Sequence, residues 1–407
     1  MTPLEHFPPT RAAAQTRIAA VRPDAYARSR NAIEGAVTRL SPYITHGFVT
    51  VPEVLAGVAA RNALTLQNKF VFELAWREYF RHVWRHRGDD ILRSLHEGPL
   101  PESAYQRELP ADIRQGRTGV AVIDQAVRAL YATGHVHNHA RLWLASYMVH
   151  LRKVHWRTGA DWMVAHLLDG DLASNHLSWQ WVAGTGSAKP YLFNAENVAR
   201  YAPTAWHSTG SVLDISYEEL DGIARNPRSL SAMPCGEGVE EPALCSQPQH
   251  VAASAPGLGN VAGRDVWLVH PWSLGEPPAD LPAGCMCVGW WPTEHHDAWP
   301  FSILRWTFVG TRMAAMAPLI CHGSRQDLAL ALDRARSVHT LADPHISELL
   351  PTQVAQRAPL RLFANVSVSC GSFSTWWKLS VRGVKRLEDL PGLRALSPLR
   401  KDSGELP

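Results

Sequence analysis

Within the stretch Leu168–Trp181, three side chains stand out for their chemistry: Asp171, Asn175 and Trp179. They are four residues apart, so a helix aligns a carboxylate, an amide and an indole in one row. Such a row makes a poor hydrophobic face. It makes a good wall for a planar, hydrogen-bonding heterocycle, because it offers an acceptor, an adaptable amide and an aromatic surface. Upstream, Asn138 and Arg141 stand at i,i+3, where the guanidinium could pair with a carboxylate such as Asp169 or with a phosphate. Thr38-Arg39-Leu40-Ser41-Pro42 supplies hydroxyls and backbone N–H groups ahead of a predicted helix, a usable anion site. Plainer readings stand beside these. Asp169 and Asp171 could cap a helix, and tryptophans at helical spacing could be core. His176 with the two aspartates invites a metal, but no third ligand has convincing spacing. His135, His137 and His139 read as a loop entering a helix, His295-His296-Asp297 as a loop, and Gly184-Thr185-Gly186 as a turn.

The elements that must position these groups are mostly helical up to about residue 200. Lys69 to His86 holds aromatics and aliphatics at three- and four-residue intervals without Gly or Pro. Ile123, Val127, Leu130 and Tyr131 recur at helical spacing, with Thr118 as a cap and Gly134 as a stop. A further helix is predicted from about Ala140 to Trp156. From Thr209 the texture changes, and the segment Pro234–Gly263, with four prolines and five glycines, reads as a linker. Beyond it, Val266–Val269 and Cys285–Gly289 are short apolar runs. They alternate with the helical stretches Phe308–Met316 and Leu328–Arg336, the rhythm of βα units around a parallel sheet. The expected organisation is a helical domain over 1–210, a linker over 211–263, a smaller Rossmann-like α/β domain over 264–395 and a tail over 396–407.

Length and composition bound the function. A chain of 407 residues favours two domains, and 46% hydrophobic with 19% charged residues excludes a disordered chain. No apolar run approaches the roughly 18 residues that cross a bilayer, and the first residues lack a signal-peptide layout, so a cytoplasmic protein with no membrane partner is expected. The six cysteines all lie beyond residue 230, with Cys285-Met286-Cys287 too tight for a CxxC pair, and they read as free thiols. Net charge is +3, but residues 1–200 carry 23 Lys/Arg against 17 Asp/Glu, which permits a phosphate-backbone partner. Seven of the 16 tryptophans lie between Trp76 and Trp181 and ask for packing, stacking or electron transfer as their explanation.

Taken together, Asn138…Arg141, Trp156 and Asp169-Gly170-Asp171-Leu172-Ala173…Asn175…Trp179-Gln180-Trp181 resemble the flavin-binding domain of the photolyase and cryptochrome family. Thr38 to Tyr43, Glu73-Leu74-Ala75-Trp76-Arg77-Glu78, and Arg117-Thr118-Gly119 with Ile123-Asp124 match further family motifs, and the resemblance covers roughly residues 20–205. It implies a helical domain that holds FAD in a bent form. Thr38 and Ser41, with Arg39 and Leu40 between them, would meet the diphosphate. Tyr26, Asn138, Arg141, Asp169 and Asp171 would contact the rest of the cofactor, and Asn175 would lie beside flavin N5. Trp179 and Trp156 match the first two carriers of the family's electron-transfer chain. No tryptophan matches the third, for which Tyr105 is the nearest oxidisable candidate.

On the substrate side, the resemblance implies that Glu73, Trp76 and Trp181 face a flipped pyrimidine dimer. Leu142 stands where dimer-repairing members often have Met. Arg30 matches a phosphate-contacting arginine, His139 occupies a second such position, and a third is lost where Pro190–Asn194 is short. Asp265–His270, Leu341–Pro344 and Phe373–Trp377 resemble parts of the family's α/β antenna domain in a permuted order, with a folate or a deazaflavin as possible chromophore. No metal is implied. The function implied is light-dependent splitting of cyclobutane pyrimidine dimers in damaged DNA. The alternative is a cryptochrome-like photoreceptor that binds FAD and signals without repair.

Overall fold

In a computed structural model, the protein is described over residues 3–231, 233–248 and 261–401. The chain forms two compact units that are not consecutive segments. A helical unit comprises residues 23–37 and 80–242, and a sheet unit comprises 1–22, 38–79 and 243–407. Helix α1 (Lys69–Arg87) runs from one into the other.

The helical unit is built on α2 (Ala121–Thr133), α3 (Asn138–Ser146), α4 (Trp156–His166) and α5 (Leu172–Ala183). On α2 the apolar stripe Val122, Ile123, Ala126, Val127 and Leu130 is buried, as its 3.6-residue period requires. Gly134 stops α2 in the left-handed region, at φ 64°. Thr118 is not its cap. The cap position is Val120, and Thr118 instead donates its backbone N–H and Oγ1 to Asp124 in the first turn. The helix expected from Ala140 to Trp156 is divided. After α3 the chain makes one π turn, Tyr147–Leu151, and α4 starts afresh at Trp156 with His155 as its cap. Two buried basic residues occupy the break: Arg152 forms a fork on Asp112 (2.5 and 3.0 Å), and Lys153 donates to the carbonyls of His150, Ile223 and Ala224.

The sheet unit carries five parallel strands: β1 (Asp265–Val269), β2 (Met286–Pro292), β3 (Leu319–Gly323), β4 (Ser337–Leu341) and β5 (Val354–Arg357). Their order is β3-β2-β1-β4-β5. Helix α6 (Thr293–Ala298) follows β2, α7 (Ile303–Met316) leads to β3, and α8 (Phe373–Ser380) comes after the sheet. β1 is buried along its whole length, as a central parallel strand must be. The expected class, a helical domain together with a parallel α/β domain, is what the chain forms, but the sheet unit is the larger of the two, not the smaller.

Two further readings differ from the structure. His295 and His296 are not loop residues but are buried on α6. The consecutive division at 210 and 263 does not follow the compact units either, because residues 38–79 are held by the C-terminal part of the chain. The Leu274 N–H donates to the His46 carbonyl at 2.9 Å, and Phe48 stacks on Phe308 at 5.1 Å. Gly47, at φ 71°, permits this approach, since a Cβ there would sit 2.8 Å from the Trp272 carbonyl oxygen. Within the expected linker, residues 217–224 form a helix and Leu244–Cys245 pairs with Phe301–Ser302, while 249–260 fall outside the described residues.

Candidate cofactor site

Helix α5 begins at Asp171, whose Oδ1 accepts the Ser174 N–H at 2.8 Å while Oδ2 meets the guanidinium of Arg81. The carboxylate therefore does two things at once: it caps the helix and pairs with a cation brought in from α1. Two residues earlier, both carboxylate oxygens of Asp169 accept from the one Nη2 of Arg141 on α3, at 3.0 and 2.8 Å. Arg141 is further fixed by its Nε–H, which donates to the Val136 carbonyl at 2.8 Å. Both carboxylates are buried, and each is held with a guanidinium, the geometry that keeps a buried charge in place.

Asn175, one turn into α5, is buried and donates from Nδ2 to the Ala160 carbonyl on α4 at 2.9 Å. Its Oδ1 takes no hydrogen bond from the described residues. The buried Ser174 Oγ likewise has no partner among them. An unused amide oxygen, an orphaned hydroxyl, a fixed guanidinium and two carboxylates form a donor and acceptor set that fits a polar heterocycle with its own N–H and O–H groups. A flavin is such a group. Arg141, Asp169, Asp171 and Asn175 would hold it from the helical unit. Tyr26 is half-buried on the short helix Pro23–Ser29, and Asn138 opens α3 at the surface. Thr38, Arg39, Leu40 and Ser41 belong to the sheet unit, where Thr38 Oγ1 accepts the Leu40 N–H and Ser41 starts a five-residue helix.

The electron-carrying candidates lie in one core. Trp179 and Trp156 are 2% and 3% exposed and share the same hydrophobic cluster. The space for the Trp179 indole is made by Gly159: a Cβ there would lie 2.3 Å from Cη2 of the ring. Trp156 donates its Nε1–H to Ser94 Oγ at 3.0 Å and stands edge-on to His176 at 6.3 Å. His176 in turn presents its two ring nitrogens to the Leu172 carbonyl and to Asp161. On the other side, His155 lies 5.8 Å from Trp156 and 6.3 Å from Tyr105, so a ring connects the second tryptophan with the tyrosine. Burial pushes the Tyr105 phenol above its ordinary range.

The substrate-facing candidates divide between the units. In the helical unit, Trp181 is 43% exposed beside Tyr191, Leu142 packs against the core, and Arg30 is half-buried with Nη1 on the Ala27 carbonyl. His139 sits among Trp143, Tyr201 and Tyr191, and burial, the main cause, holds its imidazole at a pKa of about 4. It therefore supplies no cation at neutral pH. In the sheet unit, Glu73 pairs with Lys69 at 3.2 Å, and Trp76 is stacked by Phe373.

Sequence reasoning missed Arg81, Gly159 and Phe373. Gly159 had a local signal, a glycine inside a helical pattern three residues after Trp156, which usually marks close packing. Arg81 and Phe373 act across long sequence separations and gave none.

At the sheet edge, the strand order reverses between β1 and β4, the place where open parallel sheets hold ligands. Trp272, after β1, stacks on His345, after β4, at 4.3 Å and 6°, and His270 meets the Leu341 carbonyl at 2.9 Å. Among the described residues, no group of His, Cys, Asp and Glu has metal-ligand geometry, and no helix is long and apolar enough to cross a membrane.

Residues 70–206 match the FAD-binding domain of DNA photolyase. A deoxyribodipyrimidine photo-lyase of Streptomyces griseus is 35% identical over 155 residues, which is 37% of this chain and 33% of that protein. A cryptochrome DASH of Idiomarina loihiensis is 30% identical over 209 residues, 49% of this chain and 46% of the relative. The chain thus spans less than half the length of these curated relatives. Among solved structures, a Synechocystis cryptochrome is 26% identical with a TM-score of 0.43, over 47% of this chain and 43% of that one. With its paired carboxylates, its unused amide oxygen and its buried tryptophans, the segment 70–206 is similar to the FAD-binding domain of DNA photolyase.

Proposed function

We propose that this chain is a light-dependent DNA-repair enzyme, a deoxyribodipyrimidine photo-lyase acting on cyclobutane pyrimidine dimers. The observation that carries the reading is the α4–α5 pair, where Asp171, Asn175 and Trp179 stand in one row beside the Arg141–Asp169 ion pair. FAD, when bound and reduced, supplies the light-driven electron chemistry. The residues of the chain do the rest. Arg141 and Asp169 fix each other, so that neither must reorganise when a cofactor enters. Asn175 offers an acceptor without a charge, which suits a group that changes protonation. Trp156 and Trp179, buried in one core, provide oxidisable rings. Glu73, Trp76 and Trp181 supply a carboxylate and two indoles, the types that hydrogen-bond and stack on an extruded base.

The test is a repair assay on the flavin-loaded, reduced protein. A single-stranded and a duplex oligonucleotide, each with one thymine dimer, are illuminated with blue light beside dark controls and assayed for intact thymines. Light-dependent recovery is expected.

One observation favours a second reading, a photoreceptor that signals without repair. His139 is neutral and enclosed by aromatic rings, so this surface has one cation fewer for a DNA backbone. Flavin photoreduction without thymine recovery would move the assignment to that reading.

A further inference from the structure

Trp76 is held by residues from the far end of the chain. Phe373 lies on its indole with centroids 4.1 Å apart and planes within 10°. Tyr79 closes on the same pair edge-on, 5.6 Å from Trp76 and 5.8 Å from Phe373. One turn before Trp76, Phe72 stacks on Trp377 at 4.5 Å, so α1 and α8 meet along two ring pairs. The backbone is tied as well: Glu78 accepts the Leu362 N–H at 2.6 Å and the Phe363 N–H at 3.2 Å, and the Tyr79 hydroxyl donates to the Cys370 carbonyl. Trp76 nevertheless stays only half-buried.

This is more order than a core contact needs. A tryptophan on an exposed helix face samples several rotamers, and a base stacking on it must first select one. Parallel contact with a second ring fixes the tilt and leaves only sliding in the plane.

We propose that Phe373 is a positioning residue for Trp76, setting the plane of the indole on which an unpaired, damaged base stacks. The inference rests on the reading of Trp76 as a base-stacking residue. It assigns to α8, outside the matched domain, a part in recognising the lesion.

The test uses the full, flavin-loaded chain and two single-stranded oligonucleotides of one sequence, one carrying a thymine dimer and one undamaged. The ratio of the dissociation constant for the undamaged strand to that for the dimer-bearing strand is measured together with Tm. Phe373→Leu and Phe373→Met both remove the ring, so that one folded variant suffices, Phe373→Tyr restores it, and Trp76→Ala is the control. Aromatic pairs contribute enough that the ring-less variants should lower the ratio about threefold to tenfold, with undamaged-strand affinity unchanged and Phe373→Tyr close to wild type. A ratio lost in Trp76→Ala but kept without the Phe373 ring overturns the positioning role and leaves the role of Trp76 standing. A ratio unchanged in Trp76→Ala as well removes base stacking at Trp76, and the inference with it. A ratio that rises in Phe373→Leu also overturns it, because Phe373 would then obstruct the site.

Discussion

Two regions of the molecule bury polar side chains differently. The helical unit buries charges in pairs, Arg152 with Asp112, Arg141 with Asp169 and Arg81 with Asp171, and holds His139 and His150 neutral one at a time. The edge of the parallel sheet buries imidazoles against indoles, with Trp272 between His295 and His345 and His296 beside Trp291 and Trp306. There, desolvation holds His270 at about 4 and His295 and His296 well below the ordinary histidine range. Paired charges resist displacement and keep polar groups directed, which suits a site for a polar cofactor. Neutral imidazoles fill space like aromatic rings as long as they stay unprotonated. One region is rigid through electrostatics, the other through packing that depends on pH.

The sharpest way to break this comparison is Asp112→Ala, which leaves Arg152 buried without its partner and should cost about 3–5 kcal/mol. Replacing both, Asp112→Leu with Arg152→Met, should recover most of the loss in the same denaturation experiment. A small loss in the single variant would mean the helical unit does not depend on its buried pairs.

Acid should act most where the neutral imidazoles cluster, at the sheet edge. The folded values of His270, His295 and His296 lie below the unfolded value, so their stability contribution is complete above pH ~6.5 and is lost progressively as pH falls toward their depressed folded values, about 4 for His270. Each such histidine should remove about 1 kcal/mol at pH 5.5. Hydrogen exchange should then rise in 270–274, 293–298 and 343–346 before it rises in α5. Exchange that rises equally in both regions would erase the contrast.

Gly159→Ala comes next, at about 1–3 kcal/mol, because its Cβ would meet the Trp179 ring at 2.3 Å. A shifted Trp179 emission spectrum should accompany the loss. The smallest effect on stability is expected of Asp169→Asn, under about 1 kcal/mol, since Arg141 keeps contact with solvent. FAD retention should nevertheless fall about tenfold on gel filtration, a loss of one charge-assisted pair. Retention at the wild-type level would remove the pair from the cofactor site.

The candidate row on α5 was legible because it depends on local periodicity. Asp171, Asn175 and Trp179 share a helix face, and a four-residue spacing shows this without any tertiary knowledge. For Arg141 the sequence left two partners open, a carboxylate such as Asp169 or a phosphate, and the fold brings Asp169 to it across 28 residues. Other features had no such signature. The π turn at Tyr147–Leu151 keeps almost the same apolar spacing as an α-helix, so only the backbone distinguishes it. His295 and His296 looked like loop because their types are polar, yet β2 and α7 bury them as neutral rings. The allotment of residues 38–79 to the sheet unit depends on contacts more than 200 residues away, such as His46 with Pro271, which no window along the sequence contains.

That allotment has a consequence for how the protein comes into being. During synthesis the helical unit is complete in sequence once residue 242 has emerged, and its helices can consolidate from largely local contacts. The segments 1–22 and 38–79 are made earlier but finished later, because their partners lie beyond residue 243. The buried apolar side chains of Val51–Ala59, and the aromatic rings that open α1, wait on the ribosome without their covering. Folding thus runs against the order of the chain, and the interval before the last third arrives is when a chaperone would be most needed.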